Sequence, residues 1–446
     1  MRRVVVVVLD GLRRDLIDER LTPSLSRFSR RAEWFDGYRS VFPSATRVAS
    51  ASFATGCYPG RHELQGNTLV LVEEGRLVTH DAGRPDFLQH KKHVTGRALA
   101  VPTLARRLAH VGGSVVFSNV SPGATYTHDP DGDGWTFNRA GSFGPGRVPL
   151  PEHQQLRVTP DLVGDRAMTE RFTSEVLFER RPPLAVLWCC EPDEEQHIVP
   201  LGCPDHHKAL RAADNHFGLV MDAVDRLKDQ GEDILLVACS DHGHQTVMGV
   251  VDVDAELIAA GLKQSLTSDD VVCASNGTAA LIYVRPGHAD LVARLGQFLS
   301  SREWADRVLA ADALPQVGQQ SRHGLAFAVC MRSDEGHNSF GIAGRSLVAR
   351  PNFAKPDRLG CGQHGGLARF EQASFLMIGG SSFVAGATRL AAACLVDVAP
   401  TVLRFLNLPD EGMDGKALQD GIGASRPPGH GHEGAPDATY TSGTCF

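Results

Sequence analysis

Aspartate and histidine side chains stand directly after several apolar runs of this sequence. Carboxylates are costly to crowd unless a proton or a cation compensates their charge. If the fold gathers the ends of these runs, the side chains therefore indicate a metal-binding site. The candidates are Asp10, Asp193, His197, Asp241, His242 and His364, the last in the segment GCGQHGG.

The spacing of these residues favours convergence. Asp193 and His197 are four residues apart, so one helical turn puts both side chains on the same side. Asp241 and His242 are adjacent, and Gly243 lets the chain turn so that both can face one site. Mixed carboxylate and imidazole ligation suits zinc or manganese better than calcium. Six such ligands predict two divalent ions, which stabilise both oxygens of an in-line displacement at phosphorus.

The segment VFPSATRVASASFATGCYPG, residues 41–60, supplies hydroxyl groups that such ions could activate. A Thr or Ser hydroxyl bound directly to a metal loses its proton near neutral pH, as metal-bound water does. The run from Arg47 to Thr55 contains neither Gly nor Pro and predicts a helix, whose N-terminus attracts a phosphoryl anion. The residue types leave open which hydroxyl reacts, because Thr46 could also serve only as the cap of this helix.

The elements that must position these residues alternate between buried strands and helices. Continuous apolar runs predict strands buried on both faces of a sheet, at 4–10, 114–119, 184–193, 233–243 and 374–380. Helical spacing with caps and terminal glycines predicts helices at 103–113, 207–231 and 396–409. The alternation predicts an α/β fold, a mostly parallel central sheet with helices on both faces. In such sheets functional groups gather beyond the carboxyl ends of the strands.

One catalytic domain is predicted over residues 1–420. Two stretches are interpreted as insertions, at about 120–160 and at about 270–360, the latter a small cap subdomain. The Gly/Pro/Ser/Thr-rich segment 421–446 is predicted to be a flexible tail.

The DPDGDG segment is similar to the start of a calcium-binding loop, but the twelfth position of such a loop is not glutamate here. We therefore favour a polar turn over a calcium site at Asp129, Asp131 and Asp133.

Composition argues against several classes of partner. A net charge of −7 over 446 residues offers no basic surface for a nucleic-acid polymer. The sequence contains no run of about 18 apolar residues, so no membrane span is predicted. The first apolar run ends at Asp10, which is too early for the apolar region of an export signal. The ten cysteines form no CxxC pair and fit buried free thiols in a cytoplasmic protein. The oligomeric state stays open.

Six motifs carry a resemblance to a known family. They are VLDGLRRD, FPSATRVASASFATGCYPGRHELQGN, EPDEEQH, SDHG, GQHGG and LVDVAPTVLRFLNLPDEGMDGKAL, and they span residues 1 to about 418 in the family's order. The chain resembles the alkaline phosphatase superfamily. Within it, the chain is most similar to the type I phosphodiesterase/nucleotide pyrophosphatase family, to which phosphonoacetate hydrolase is related.

The resemblance implies a two-metal phosphoric-ester hydrolase that acts through a phospho-threonine intermediate. The family's nucleophile falls on Thr46, and its ions would be zinc, with manganese as the alternative. Asn67 and the backbone N–H of Arg47 would stabilise the phosphoryl oxygens. One zinc would be held by Asp193, His197 and His364, and the other by Asp10, Thr46, Asp241 and His242.

The sequence departs from the family pattern at Arg47, where nucleotide pyrophosphatases usually carry an aromatic residue that stacks on the base. A guanidinium there permits a contact to a phosphate or carboxylate of a small-molecule substrate. Phosphonoacetate-type P–C hydrolysis and phosphomonoesterase activity therefore stand as alternatives, whereas a non-catalytic metal- or phosphate-binding protein would be expected to have lost ligands. His244, in the segment SDHGH, has no assigned role.

Overall fold

A central sheet organises the chain, whose computed structural model describes residues 2–353, 357–419 and 425–426. The predicted tail 421–446 thus lies outside the described residues except for one short strand. Eleven strands of the described chain form this sheet. From one edge to the other they are Ser425–Arg426, Thr388–Cys394, Glu33–Arg39, Leu376–Gly379, Asp233–Cys239, Arg2–Leu9, Leu184–Cys189, Ser114–Ser118, Trp135–Phe137, Phe143–Gly144 and Val148–Pro149.

The middle of the sheet is parallel, and its apolar side chains are buried. Arg2–Leu9 lies between Asp233–Cys239 and Leu184–Cys189, and Val6 is the register partner of Val237 and Val186. Helices cover both faces of this strand, so all its side chains after Arg2 are buried, which explains the uninterrupted valines. The α/β fold with a mostly parallel sheet is confirmed. The predicted strand at 374–380 is shorter than expected and antiparallel to both of its neighbours.

Helices cover both faces of the sheet. Alternate residues of the first strand pack against helix Thr46–Thr55 and helix Val398–Phe405 on one face, and against helix Pro204–Asp229 on the other. The remaining α-helices of the described chain are Pro23–Ser29, Pro59–His62, Phe87–Thr95, Leu104–Leu108, Pro122–Tyr126, Leu162–Arg171, Asp193–Gln196, Val253–Ala259 and Ala289–Ser300, with a π-helix at Phe172–Arg180.

The helix predicted at 103–113 is shorter than its pattern indicated. Thr103 caps it as expected, its side chain accepting the N–H of Arg106 at 3.3 Å. The α-helix ends at Leu108, whose carbonyl oxygen accepts the N–H of Gly113. Gly112 and Gly113 both have positive φ, so the helix ends in a turn before the next strand, earlier than hydrophobic periodicity indicates.

Smaller sheets follow the central strand Asp233–Cys239. One is formed by Val271–Asn276, Ala279–Val284, Leu325–Met331 and Ala305–Ala310. Another is formed by Ser333–His337, Ala343–Ala349, Gln245–Val251 and Gly362–Gln363. The first of these sheets lies within the insertion predicted at about 270–360, whereas the second also uses strands before and after it. The role of this insertion as a cap stays a prediction, as does the insertion at about 120–160. The hairpin Thr68–Glu73 and Arg76–Asp81 packs against the first of these sheets.

Two further sequence interpretations can be compared with the structure. The DPDGDG segment is a polar turn, in which the Asp129 carboxylate accepts the backbone N–H groups of Gly132, Asp133 and Gly134.

Across the part of the chain that the structure describes, no helix is both long and apolar enough to span a bilayer.

Replacing Leu236 by alanine tests the buried sheet. Leu236 is 1% exposed in a central strand, so Leu236→Ala is expected to lower the free energy of unfolding by about 2–5 kcal/mol. Leu390→Ala, on an outer strand at 60% exposure, is the matched control and should change it by less than about 0.5 kcal/mol. Urea denaturation measures both, and equal effects would contradict the assigned sheet.

Candidate metal centre

The carboxyl ends of three central strands bring the predicted acidic residues together. Asp10 directly follows Arg2–Leu9, and Asp241 comes two residues after Asp233–Cys239. Asp193 opens a short helix four residues after Leu184–Cys189. His364 arrives from Gly362–Gln363 of a smaller sheet. Two groups of ligand atoms result, Asp10 with Asp241 and His242, and Asp193 with His197, His244 and His364.

The first group has the spacing of a metal coordination shell. His242 Nε2 lies 3.4 Å from Asp10 Oδ1 and 3.2 Å from Asp241 Oδ2. Thr46 Oγ1 lies 3.1 Å from His242 Nε2 and 3.5 Å from Asp10 Oδ1. Ligand atoms bound tetrahedrally to one zinc at its usual bond lengths are about 3.3 Å apart. The four side chains therefore fit a divalent cation.

The second group fits in the same way. His197 Nε2 is 3.3 Å from Asp193 Oδ2, and His364 Nε2 is 3.5 Å from Asp193 Oδ1. The Nδ1 atom of His197 faces the carbonyl oxygen of Gly362 at 3.2 Å, and that of His364 faces the carbonyl of Ser44 at 2.7 Å. An Nδ1–H donated to a carbonyl leaves the Nε2 lone pair free for a metal.

The electrostatics of the first group also favour a bound cation. Burial, together with repulsion from Asp241 and Asp193, raises the pKa of Asp10 well above its usual value. Burial likewise raises the pKa of Asp241, whose Oδ2 has no hydrogen-bond partner among the described residues. The donors to this pair are Trp188 Nε1–H and the Thr46 hydroxyl, to Asp10, and the backbone N–H of Gly11, to Asp241. So few donors for two buried carboxylates favour binding of a cation.

Asp193 is compensated by imidazoles. Burial alone would raise its pKa, but His197 and His244 hold that pKa well below the usual value. Burial would lower the pKa of His197, yet the Asp193 carboxylate raises it to about 9. Without a metal this site therefore favours a carboxylate–imidazolium pair. A cation must displace the His197 proton in order to bind.

Thr46 is the hydroxyl that faces the first group. It is the first residue of helix Thr46–Thr55, and Ala45 occupies the N-cap position, so the interpretation of Thr46 as a cap is wrong. Neighbouring hydroxyls are engaged elsewhere. Ser50 donates to the carbonyl of Ala124, and Ser52 contacts His62 Nε2 at 3.0 Å.

Asn67 is oriented by the helix and by a distant strand. Its Oδ1 accepts the backbone N–H of Arg47 at 3.0 Å, which makes Nδ2 the donor end of the amide. The backbone N–H of Asn67 donates to Asn276 Oδ1 at 2.6 Å. The Arg47 amide, predicted to contact a phosphoryl oxygen, is thus used to orient Asn67. The Arg47 guanidinium lies 3.6 Å from Asp81.

A cavity of about 530 Å³ opens beside these groups. Its wall includes Arg47 and Asn67 together with His197 and His364, so the second ligand group borders the same space as the predicted substrate-binding residues. The rest of its lining includes Asn276, Phe353 and Arg358. The cavity is large enough for a small phosphorylated molecule.

Sequence reasoning missed His244. This imidazole is fully buried, and its Nε2 lies 2.6 Å from Asp193 Oδ1. The sequence signal that could have identified His244 was its position two residues after His242, because alternate side chains of an extended segment point to the same side of the chain.

A further histidine and carboxylate group lies on the surface hairpin and the helix that follows it. His80 Nε2 and His90 Nε2 approach Glu73 Oε1 at 2.6 and 2.9 Å. These are hydrogen-bond lengths rather than the spacing of atoms that share a metal. The group is separate from the candidate metal centre.

The fold and the two ligand groups define a metal-dependent hydrolase of phosphoric esters in the alkaline phosphatase superfamily. More narrowly, the chain belongs to the type I phosphodiesterase/nucleotide pyrophosphatase family, whose family model matches residues 4–342. No curated protein sequence matches the chain.

Solved structures share the fold at low sequence identity. Murine ectonucleotide pyrophosphatase/phosphodiesterase 5 superposes with a TM-score of 0.66 at 17% identity, covering 94% of this chain and 99% of that one. Its inactive threonine-to-alanine variant, in complex with AMP, gives 0.66 at 16% with the same coverage. The human counterpart gives 0.62 at 17%, again covering 94% and 99%.

The stabilisation by zinc is expected to grow with pH. Because the pKa of Asp10 is raised in the folded protein, ionising it as the pH rises destabilises the metal-free fold, and a bound cation removes that cost. His197, with its pKa raised to about 9, also releases its proton more readily at higher pH. The zinc-induced rise in Tm should be larger at pH 7.5 than at pH 5.5 by about 2–4 °C.

Thermal melts of zinc-loaded and chelated protein at the two pH values measure this difference. The Asp10→Asn variant lacks the buried Asp10 carboxylate, so its zinc-induced rise in Tm should depend less on pH. A zinc-induced shift in the unsubstituted protein that is equal at both pH values, or larger at pH 5.5, would contradict the electrostatic description.

Proposed function

We propose that the protein hydrolyses small phosphodiesters or nucleotide pyrophosphates by double displacement, with Thr46 as nucleophile and two zinc ions. The observation that carries the proposal is the position of Thr46 Oγ1, 3.1 Å from His242 Nε2 and 3.5 Å from Asp10 Oδ1. Asp10, Thr46, Asp241 and His242 would hold one ion, and Asp193, His197 and His364 the other. Bound there, divalent ions would lower the pKa of the Thr46 hydroxyl and neutralise phosphoryl charge.

The chain's own residues then account for the reaction. Thr46 Oγ, having lost its proton to solvent, forms a bond to phosphorus while the ester bond to the leaving oxygen breaks. Asn67 Nδ2 donates to a phosphoryl oxygen, and the N-terminus of helix Thr46–Thr55 faces the same anion. Water next forms a bond to phosphorus, the phosphorus–Oγ bond breaks, and Thr46 is regenerated.

Nucleotides are the first substrate class to examine. The inactive murine relative that binds AMP carries a threonine-to-alanine replacement, which supports a threonine nucleophile in this chain. A doubly anionic substrate, such as a phosphomonoester or phosphonoacetate, is the second candidate, because Arg47 borders the cavity.

We also propose a cytoplasmic location, supported by nine described cysteines that are all free and buried.

Thr46→Ala is expected to reduce turnover of bis-p-nitrophenyl phosphate by at least about a thousandfold, because the nucleophile is lost. Ser52→Ala, a buried hydroxyl deletion on the same helix, is the matched control and should retain most activity. Steady-state assays with zinc, and with a chelator, measure the rates. Turnover that survives both Thr46→Ala and chelation would refute the mechanism.

Arg47→Leu distinguishes the substrate classes. If the guanidinium contacts a second anionic group, the substitution should raise KM for p-nitrophenyl phosphate or phosphonoacetate about tenfold or more, the value of one charge-assisted hydrogen bond. KM for the singly charged diester should change less than about threefold. Parallel assays of the three substrates provide the comparison, and equal effects on all of them would exclude charge recognition by Arg47.

A further inference from the structure

We infer that His244 is a positioning residue for Asp193, donating Nε2–H to Asp193 Oδ1 from behind the second metal-ligand group without itself binding metal. This inference rests on the metal centre proposed above. It concerns a residue outside the ligand set given by the family resemblance, and it defines how many ligand positions the protein supplies.

The distances separate His244 from the ligands. His197 Nε2 and His364 Nε2 lie 3.3 and 3.5 Å from the oxygens of Asp193, close to the spacing of about 3.3 Å expected when two atoms share a tetrahedral zinc. His244 Nε2 lies only 2.6 Å from Asp193 Oδ1. That separation is too short for two ligands of one ion and is typical of a charge-assisted hydrogen bond.

The opposite nitrogen of each ring supports the same distinction. In His197, His242 and His364 the Nδ1 atom faces a backbone carbonyl oxygen, so each neutral ring would keep its proton on Nδ1 and offer the Nε2 lone pair to a metal. His244 Nδ1 is buried and has no partner among the described residues. A proton there would be unsatisfied, so the neutral ring carries its proton on Nε2, where Asp193 accepts it.

The surrounding backbone is shaped to hold this pair. Gly11 has φ +69°, and a Cβ at that position would lie 2.8 Å from His244 Nε2 and 3.0 Å from Asp193 Oδ1. A Cβ at Gly362 would lie 2.6 Å from His244 Nδ1. The Arg13 guanidinium holds the backbone of His244 in place by donating Nη1–H to its carbonyl oxygen at 3.2 Å. The imidazole therefore has little freedom to rotate towards the cavity.

The consequence is a metal position with three protein ligands. If His244 bound the ion, four protein atoms would close a tetrahedral shell, as in structural zinc sites. With His244 behind Asp193, the shell supplied by Asp193, His197 and His364 keeps one position for substrate or water, as in catalytic sites. Hydrogen bonds to metal ligands typically contribute 10- to 100-fold in metal affinity.

Zinc binding by the full-length protein tests the inference, measured by competition with a chromophoric chelator. The unsubstituted protein should bind two equivalents. His244→Leu should still bind two at saturation, with one site weakened about 10- to 100-fold. His244→Gln should recover much of this loss, since a glutamine side-chain N–H can replace the Nε2–H donor. His337→Leu, at an exposed histidine, is the control and should bind as the unsubstituted protein does.

Several results would overturn the inference. If His244→Leu binds zinc with unchanged affinity, the hydrogen bond has no role in metal binding. If His244→Leu loses one whole equivalent of zinc and His244→Gln does not restore it, His244 is itself a metal ligand. Circular dichroism of the chelated variants reports folding separately, and His244→Gln carries the test if His244→Leu does not fold. Absence of zinc binding by the unsubstituted protein would instead refute the proposed metal centre, so the two failures are distinguishable.

Discussion

The crowding of three carboxylates at one edge of a parallel sheet is the constraint on which the rest of the site depends. Asp10, Asp193 and Asp241 are each brought there by a central strand and are buried. Their mutual repulsion opposes folding unless positive charge or protons accompany them. Imidazoles compensate part of the charge around Asp193, whereas Asp10 and Asp241 have few donors. The pair of cations proposed here would complete the balance and would also supply the chemistry.

The position of the proposed nucleophile, Thr46, follows from how closely a helix approaches that edge. Thr46 opens helix Thr46–Thr55, whose residues other than Arg47 are buried, so the helix can pack against the sheet with Oγ1 directed at Asp10 and His242. The carbonyl of Ser44, just before this helix, accepts from His364 Nδ1. The segment that carries Thr46 thereby also orients His364 of the second group. One short stretch of chain therefore positions both the proposed nucleophile and a candidate metal ligand.

Much of this arrangement could be predicted from the sequence, because the carboxyl ends of parallel strands meet in space. Asp10, Asp193 and Asp241 were recognisable for that reason. Contacts that depend on side-chain direction were not. His244 gave no pattern beyond its spacing from His242, and the use of the Arg47 amide by Asn67 depends on helix orientation. The support of Asn67 by Asn276 joins segments 209 residues apart, a contact that local periodicity does not encode.

Crystallography of the zinc-loaded protein, with diffraction data collected on both sides of the zinc absorption edge, would locate the metal ions directly. Two anomalous peaks per chain are expected. One lies among Asp10, Thr46, Asp241 and His242, with Thr46 Oγ1 within bonding distance. The other lies among Asp193, His197 and His364. A single peak, peaks elsewhere in the molecule, or a first ion without contact to Thr46 would contradict the account.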